Sequence, residues 1–355
     1  MLQYYLSCFD LNVPKSLLHN FLGTAGLQLV GKGLTVIAGI VFARALGPEE
    51  FGRYSFVLSI ITVAMLPVIA GLPYLIVREV SRYFSDLEYS KLCGFVRWSA
   101  WYVLGSSLLS VTVLATLICF DFWEPSLQYL LIPAFLLLPL RGMLVRQSAV
   151  INGFQRSEIA QIPLAILLPV FVLLMLLGGY LLNAELTARL LIYMQVFSAL
   201  ITFIASFILM SYVIRKAQVD MKETSYSIHY WHKSLLPFTI IAIIGTMNSE
   251  LGTLVLGFYA DDASIGFFKV AVQGITLLAI GLQAVNTVSG PKIASLYKQG
   301  RLKDVQSLLN QSVKFSALTS IPFAFLLVVF GKTLIVFLFG ESYLPAASLL
   351  VMTPT

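Results

Sequence analysis

The feature that most constrains this chain is a succession of apolar runs, each about as long as a bilayer is thick. "IPLAILLPVFVLLMLLGGYLL" (162–182) and "LLIYMQVFSALITFIASFILM" (190–210) carry no charge at all. Spanning a hydrocarbon core of about 30 Å takes about 20 helical residues. Lipid offers no partner to a free backbone N–H or C=O, so a spanning segment must be a helix or part of a closed barrel. Composition points the same way, with 58% hydrophobic and 11% charged residues against about 25% charged in soluble domains. The chain reads as an all-α, polytopic membrane protein with no polar stretch long enough to form a soluble domain.

Helical spans are expected near 16–44, 52–77, 98–120, 127–149, 160–182, 188–213, 235–259, 265–290 and 314–339. A tenth begins near Tyr343 and ends at Thr355 after a dozen residues, so the reading expects the chain to be truncated. The N-terminal "MLQYYLSCFDLNVPKSLLHN" has no basic region ahead of an apolar run and no small-residue cleavage site, unlike a secretory leader. Cys8, Cys93 and Cys119 have no metal-ligand spacing and read as apolar fillers or thiols. Seventeen of the 23 Lys and Arg residues, including Arg141 and Arg146, fall on the side of the membrane that holds the N-terminus, and five on the opposite side. The positive-inside rule then puts the N-terminus in the cytoplasm. The net charge of +6 is mainly this topological signal, so no nucleic-acid partner is expected.

Sliding the sequence against itself by 214 residues superposes Gly52 on Gly266, Thr62 on Thr276, Arg78 on Lys292 and Tyr83 on Tyr297. In both copies an acidic turn (Glu49 and Glu50; Asp261 and Asp262) leads through glycine into a span that ends on a basic residue. Six spans separate the copies, so both halves have the same orientation, as in parallel repeats related by an axis along the membrane normal. The expected division is a six-helix bundle over 1–214, a cytoplasmic linker over 215–234 and a partial second bundle over 235–355, with a pathway between them.

Charges inside spans are costly and point to function or to a structural pair. Lys32 shares a helical face with Thr24, Gln28, Thr35 and Gly39, either as a cavity-lining cation or as a snorkelling or hydrogen-bonding residue. Glu250 shares a face with Thr246 and Thr253 in the seventh span; pairing with Lys32 would neutralise both, and a coupling or substrate role is the other reading. The eighth span carries Lys269, Gln273, Thr276 and Gln283 on one stripe with Asn286 beside it, whereas the fifth span has no polar face. Such stripes border water or join helices to one another. His229 and His232 lie on an inner loop beside aromatic residues and read as interfacial, not as a metal site. There is no phosphate-binding glycine loop ending in Lys-Ser/Thr, no Ser-His-acid set and no H-E-x-x-H, so no enzyme, cofactor or metal centre is expected.

The segment "ARALGPEEFGRYSFVLSIITVAMLPVIAGLPYLIVREVSRY", the loop "INGFQRSEIAQI" and the turns "LGFYADDASIGFFKVA" and "LFGESYLPAASLL" resemble the polysaccharide flippases (Wzx-like) of the MOP exporter superfamily. The resemblance covers essentially the whole chain. It implies two parallel six-helix bundles (a MOP/MATE-like fold) around a cavity open to one side at a time, the second bundle being truncated here. It also implies a flippase in the bacterial or archaeal cytoplasmic membrane that moves an undecaprenyl-pyrophosphate-linked oligosaccharide for surface polysaccharide biosynthesis. Membrane lipid and other polysaccharide-assembly proteins are the further partners. Lys32 matches the first-span basic residue of similar lipid-precursor flippases, and Glu250 their seventh-span acid. A pyrophosphate would be met by Lys32 and Lys269 and, at the inner mouth, by Arg78 and Lys292. Sugars would be met by Gln28, Asn248, Gln273, Gln283 and Asn286. Arg44 and Arg53 stand on the sparsely basic outer face, as an outer gate or as interfacial anchors. The alternative is a cation-coupled small-molecule exporter of the multidrug (MATE-like) type. A membrane polymerase or ligase would want a large basic outer loop, and a scaffold would not need three polar stripes.

Overall fold

The computed structural model describes residues 15–219, 223–298 and 300–347. Its first helix, α1, is recorded over Lys15–Ala64 but is two arms, 15–46 and 48–64, joined at Gly47. Gly47 adopts φ 73°, a left-handed geometry that glycine reaches without strain, and Pro48 then starts the second arm. The chain turns back here. The rings of Phe42 and Tyr54 meet at 5.7 Å, whereas twelve residues of straight helix would hold them roughly 18 Å apart.

The second span continues through α2 (Leu66–Ile69) and α3 (Leu72–Ser85), broken at Gly71 with φ 73°. The carbonyl of Ala70, freed by the break, accepts from Thr239 Oγ1 at 3.0 Å. The third span is α4 (Tyr89–Cys119), and the fourth is α5 (Pro125–Ala134) followed by α6 (Leu137–Gly153). The fifth consists of α7 (Ser157–Gln161), a π-helical stretch over Ile162–Leu167 and α8 (Leu168–Leu181). Pro163 near the start of that stretch and Pro169 just after it supply no N–H, so the regular ladder is displaced. The sixth span is α9 (Ala188–Lys216), N-capped by Thr187. Then follow α10 (Ile228–Tyr259), α11 (Asp262–Lys298) and α12 (Leu302–Phe339). Among the described residues, six helical runs are long and apolar enough to cross a membrane, and the first of these contains the Gly47 turn. This is an all-α, multi-pass membrane fold.

Within the first six spans α6 is central, touching α2, α3, α4, α7 and α9. Two arginines counted on the cytoplasmic side lie in this helix with partners inside the bundle. Arg146 is 4% exposed and donates to Ser99 Oγ at 3.0 Å and to the Val96 carbonyl at 2.5 Å. Arg141 also lies within the bundle. The helix runs on to Gly153, so the loop that follows is shorter than the sequence suggested and both arginines find internal partners.

The largest helix-to-helix contact is between α1 and α11, at the corner that the repeat predicts. A Cβ on Gly52 would fall 1.7 Å from the Asp262 carbonyl oxygen, and a Cβ on Gly266 would fall 2.2 Å from the Pro48 carbonyl oxygen. Pro48 and Asp262, like Gly52 and Gly266, are equivalent under the 214-residue shift. The two close approaches are therefore reciprocal, as at an isologous interface around a two-fold axis. Arg53 reinforces the corner, bonding Asp262 at 2.6 Å, Glu49 at 2.8 Å and Glu50 at 3.2 Å. The second oxygen of Glu50 accepts from the Ala188 N–H at 2.8 Å, which ties in α9. Beside it the Ser264 hydroxyl donates to Asp261 at 2.5 Å and holds that carboxyl below the usual aspartate range. Tyr343 is fully buried among Phe51, Phe267 and Phe339, and its hydroxyl donates to the Ala43 carbonyl at 2.8 Å.

At the opposite end Glu79, fully buried, is held by Arg78 at 2.8 Å and Arg82 at 2.6 Å. Arg82 also donates to the Tyr230 hydroxyl of α10 at 3.0 Å.

Gly52→Ala and Gly266→Ala should each destabilise by about 1–3 kcal/mol, because a backbone carbonyl cannot swing away from the new methyl group. Gly105→Ala, whose Cβ would meet nothing within 4 Å, should be neutral or stabilising by up to about 1 kcal/mol. Thermal unfolding of the purified protein in detergent separates the two cases.

Candidate functional site

Against this corner, on the bundle side, lies a cavity of about 400 Å³. Both arms of α1 contribute Thr35, Gly39, Tyr54 and Ser55, and α6 and α9 contribute Arg141 and Gln195. The π-helical stretch and α8 add Leu164, Leu168 and Pro169, and α11 adds Lys269, Gln273 and Thr276. The fifth span, which looked featureless, is thus one wall of the site, and its irregular turn accounts for that. Ala165 sits where a Cβ on Gly31 would come within 2.6 Å, so the stretch packs directly on the backbone of α1.

A polar relay crosses the cavity. Arg141 Nη2 donates to Gln195 Oε1 at 2.8 Å, and Gln195 Nε2 donates to the Tyr54 hydroxyl at 2.9 Å. Arg141 has no carboxylate partner among the described residues, and its buried Nε has no hydrogen-bond partner there. On the far wall Lys269 Nζ donates to Glu250 Oε2 at 3.1 Å, and the same oxygen accepts from Ser59 Oγ at 2.7 Å. That oxygen joins the second span to α10 and α11. The described lining therefore holds two cations and no carboxylate, with Glu250 reaching one of the cations from outside. Gly39 leaves room for the Gln273 amide, since a Cβ there would lie 1.6 Å from its nitrogen.

The residues singled out in the sequence are distributed as follows. Lys269 and Gln273 line the cavity, with Thr35, Gly39 and Thr276 from the same stripes. Glu250 is paired with Lys269 and Ser59, and not with Lys32, the pairing that was one of its two readings from the sequence. The reason is geometric: seven helix residues separate Lys269 from Asp262, and nine separate Glu250 from Tyr259, so both lie near the corner. Lys32 lies fifteen residues from Gly47 and is deeper. Lys32 is half-buried one turn beyond Thr35, outside the lining, while Gln28 and Asn248 are exposed. The side chains of Gln283, Asn286 and Lys292 lie outside the described residues. Arg78 is held by Glu79 and stacks 5.5 Å from the Phe238 ring. Arg53 occupies the corner, and Arg44 donates to the Phe337 carbonyl at 3.3 Å. The sequence reading missed Tyr54, Ser59, Arg141 and Gln195. Of these only Arg141 carried a signal, as a charge following an apolar run.

Architecture and site together define a multi-pass helical membrane fold enclosing a polar cavity. The chain is similar in fold to a MATE family multidrug resistance transporter of the MOP superfamily in its inward-facing conformation. The TM-score is 0.70 at 14% identity, covering 90% of this chain and 75% of the other. Against an outward-facing MATE structure the TM-score is 0.64 at 12% identity, covering 94% and 76%. A MOP superfamily transporter from Pyrococcus furiosus, described as having a binding pocket of reverse polarity, gives 0.61 at 12% identity, covering 94% and 76%. The family model described as polysaccharide biosynthesis protein matches residues 41–348, and the chain belongs to that family. It is 20% identical over 333 residues to the probable low-salt glycan biosynthesis flippase Agl15 of Haloferax volcanii. That match covers 92% of this chain, which spans 66% of the length of the relative.

The Glu250–Lys269 pair is only partly exposed, at 18% and 23%, so its partners should be coupled in stability. A double-mutant cycle with Glu250→Gln and Lys269→Gln should give an interaction of roughly 1 kcal/mol. Strict additivity in thermal unfolding would exclude a working pair.

Proposed function

We propose that this protein is a flippase that moves a lipid-linked oligosaccharide across the cytoplasmic membrane by alternating access, for surface glycan assembly. The observation that carries this reading is the cavity bearing Arg141 and Lys269 without a carboxylate in its described lining. A cation without a counterion inside a membrane protein favours an anionic ligand, and a planar guanidinium suits the oxygens of a phosphate or pyrophosphate. Gln195, Gln273 and Tyr54 offer amide and hydroxyl groups suited to sugars. The family and the flippase relative support the same substrate class. An undecaprenyl-pyrophosphate-linked glycan is the proposed cargo, its tail staying in the bilayer.

In this scheme residues 1–214 form one bundle, 215–234 a cytoplasmic linker and 235–355 part of the second, with the N-terminus cytoplasmic. Arg78 and Lys292 receive the head group at the inner mouth. Lys32 meets it one turn below the cavity, and Arg53, with Arg44 beside it, closes the outer gate. Glu250 sets the position of Lys269. A cation-coupled multidrug exporter on this fold would want an acid in the first bundle's cavity, and the described lining holds none.

In cells carrying the complete protein, Arg141→Gln should lower surface glycan about tenfold or more, the equivalent of one lost charge-assisted contact. Membrane protein level should be unchanged, and Arg141→Lys should restore part of the glycan. Normal glycan with Arg141→Gln would remove the anionic-cargo reading.

A further inference from the structure

A second cavity of about 530 Å³ opens between α8 and α9, at the end of the bundle where Glu50 meets Ala188. Its described lining is almost entirely apolar: Phe171, Leu174 and Met175 on one side, Tyr193, Met194 and Phe197 on the other. Gly178 and Gly179 also line it, and a side chain would meet different surroundings at the two. A Cβ on Gly179 would press on the end of the flexible Met194 side chain at 2.9 Å. A Cβ on Gly178 would meet nothing within 4 Å, so its missing side chain leaves open space without bringing any helix closer. Glycine in a helix interior is unfavourable relative to alanine, and no protein contact compensates for it here.

A cation stands at the rim. Arg189 lies 3.7 Å from the centroid of the Tyr129 ring and 5.6 Å from that of Tyr193. Its Nη2 donates to the Tyr193 hydroxyl at 3.3 Å. Tyr193 thus lines the groove with its body and touches the cation with its hydroxyl. Arg189 has no ion pair among the described residues, and its Nε is buried without a partner there. The rim lies one residue into α9, at the level of Tyr129, where aromatic and basic residues sit against lipid head groups.

The geometry points to a binding site for an anionic membrane phospholipid, its phosphate on Arg189 and one acyl chain along the Gly178 groove. Charge selects the occupant, because a phosphate oxygen completes the guanidinium and a hydrocarbon chain fills a slot with hardly any polar wall. This site is separate from the transport cavity and does not depend on what that cavity carries.

The test uses the purified full chain, delipidated and offered phosphatidylglycerol, phosphatidylcholine of the same chains, or undecaprenyl phosphate, with bound lipid counted by native mass spectrometry. Wild type should retain phosphatidylglycerol over phosphatidylcholine. Arg189→Gln should weaken phosphatidylglycerol about tenfold, to the level of phosphatidylcholine. Gly178→Leu, which puts a side chain into the groove, should lower retention of both phospholipids, and Gly178→Ala should do so more weakly in a fold even less perturbed. Equal retention of the two phospholipids by wild type, or unchanged retention by Arg189→Gln, overturns the proposal. Preference for undecaprenyl phosphate over phosphatidylglycerol overturns it too, assigning the groove to the carrier lipid.

Discussion

The arrangement of this molecule depends on one backbone-to-backbone contact, the reciprocal approach of Gly52 to the Asp262 carbonyl and of Gly266 to the Pro48 carbonyl. In lipid there is no large hydrophobic gain from bringing two helices together, so close packing of small residues carries much of the association. Once the two corners touch, the depth of α11 against α1 is fixed, and with it the level at which Lys269 and Gln273 enter the cavity. Arg53 adds charge to the contact through three carboxylates, and Tyr343 seals it with an aromatic cluster. The same contact makes the repeat visible as geometry, because equivalent residues meet one another across it.

Much of the architecture could be read from the chain because membrane helices write their length and solvent directly into composition. The 214-residue repeat was legible through a few identities, and its glycines turned out to be the contact itself. Partnerships were less legible. Helical phase put Lys32, Thr35 and Gly39 on one face correctly, yet phase says nothing of depth, and Glu250 pairs at its own level with Lys269 and Ser59. Arg141 and Arg146 were counted on the cytoplasmic side because a topology count reads basic residues near a span end by sequence position alone. A long guanidinium can instead find Gln195, Ser99 or a carbonyl inside the bundle. The wall made by the fifth span was invisible because it rests on a π-helical turn beside Pro163 and Pro169 and on no polar residue.

The distribution of charge separates the site from its surroundings. Glu79, Glu49, Glu50 and Asp262 are each engaged by arginine, at the two ends of the bundle. Between those ends the cavity keeps a guanidinium whose strongest neighbour is a neutral amide. Amides and hydroxyls orient a cation without neutralising it, so the field in the cavity stays positive. The carboxylates are spent on holding helices together, and the described residues leave none to compete for Arg141.

The close fit at Gly39 has a consequence for capacity. With no side chain at that position, the Gln273 amide rests over the backbone of α1 and not in the open space beside it. A single methyl group at 39 would push the amide into a chamber of about 400 Å³. How much open volume the cavity keeps is thus set by an atom that is missing.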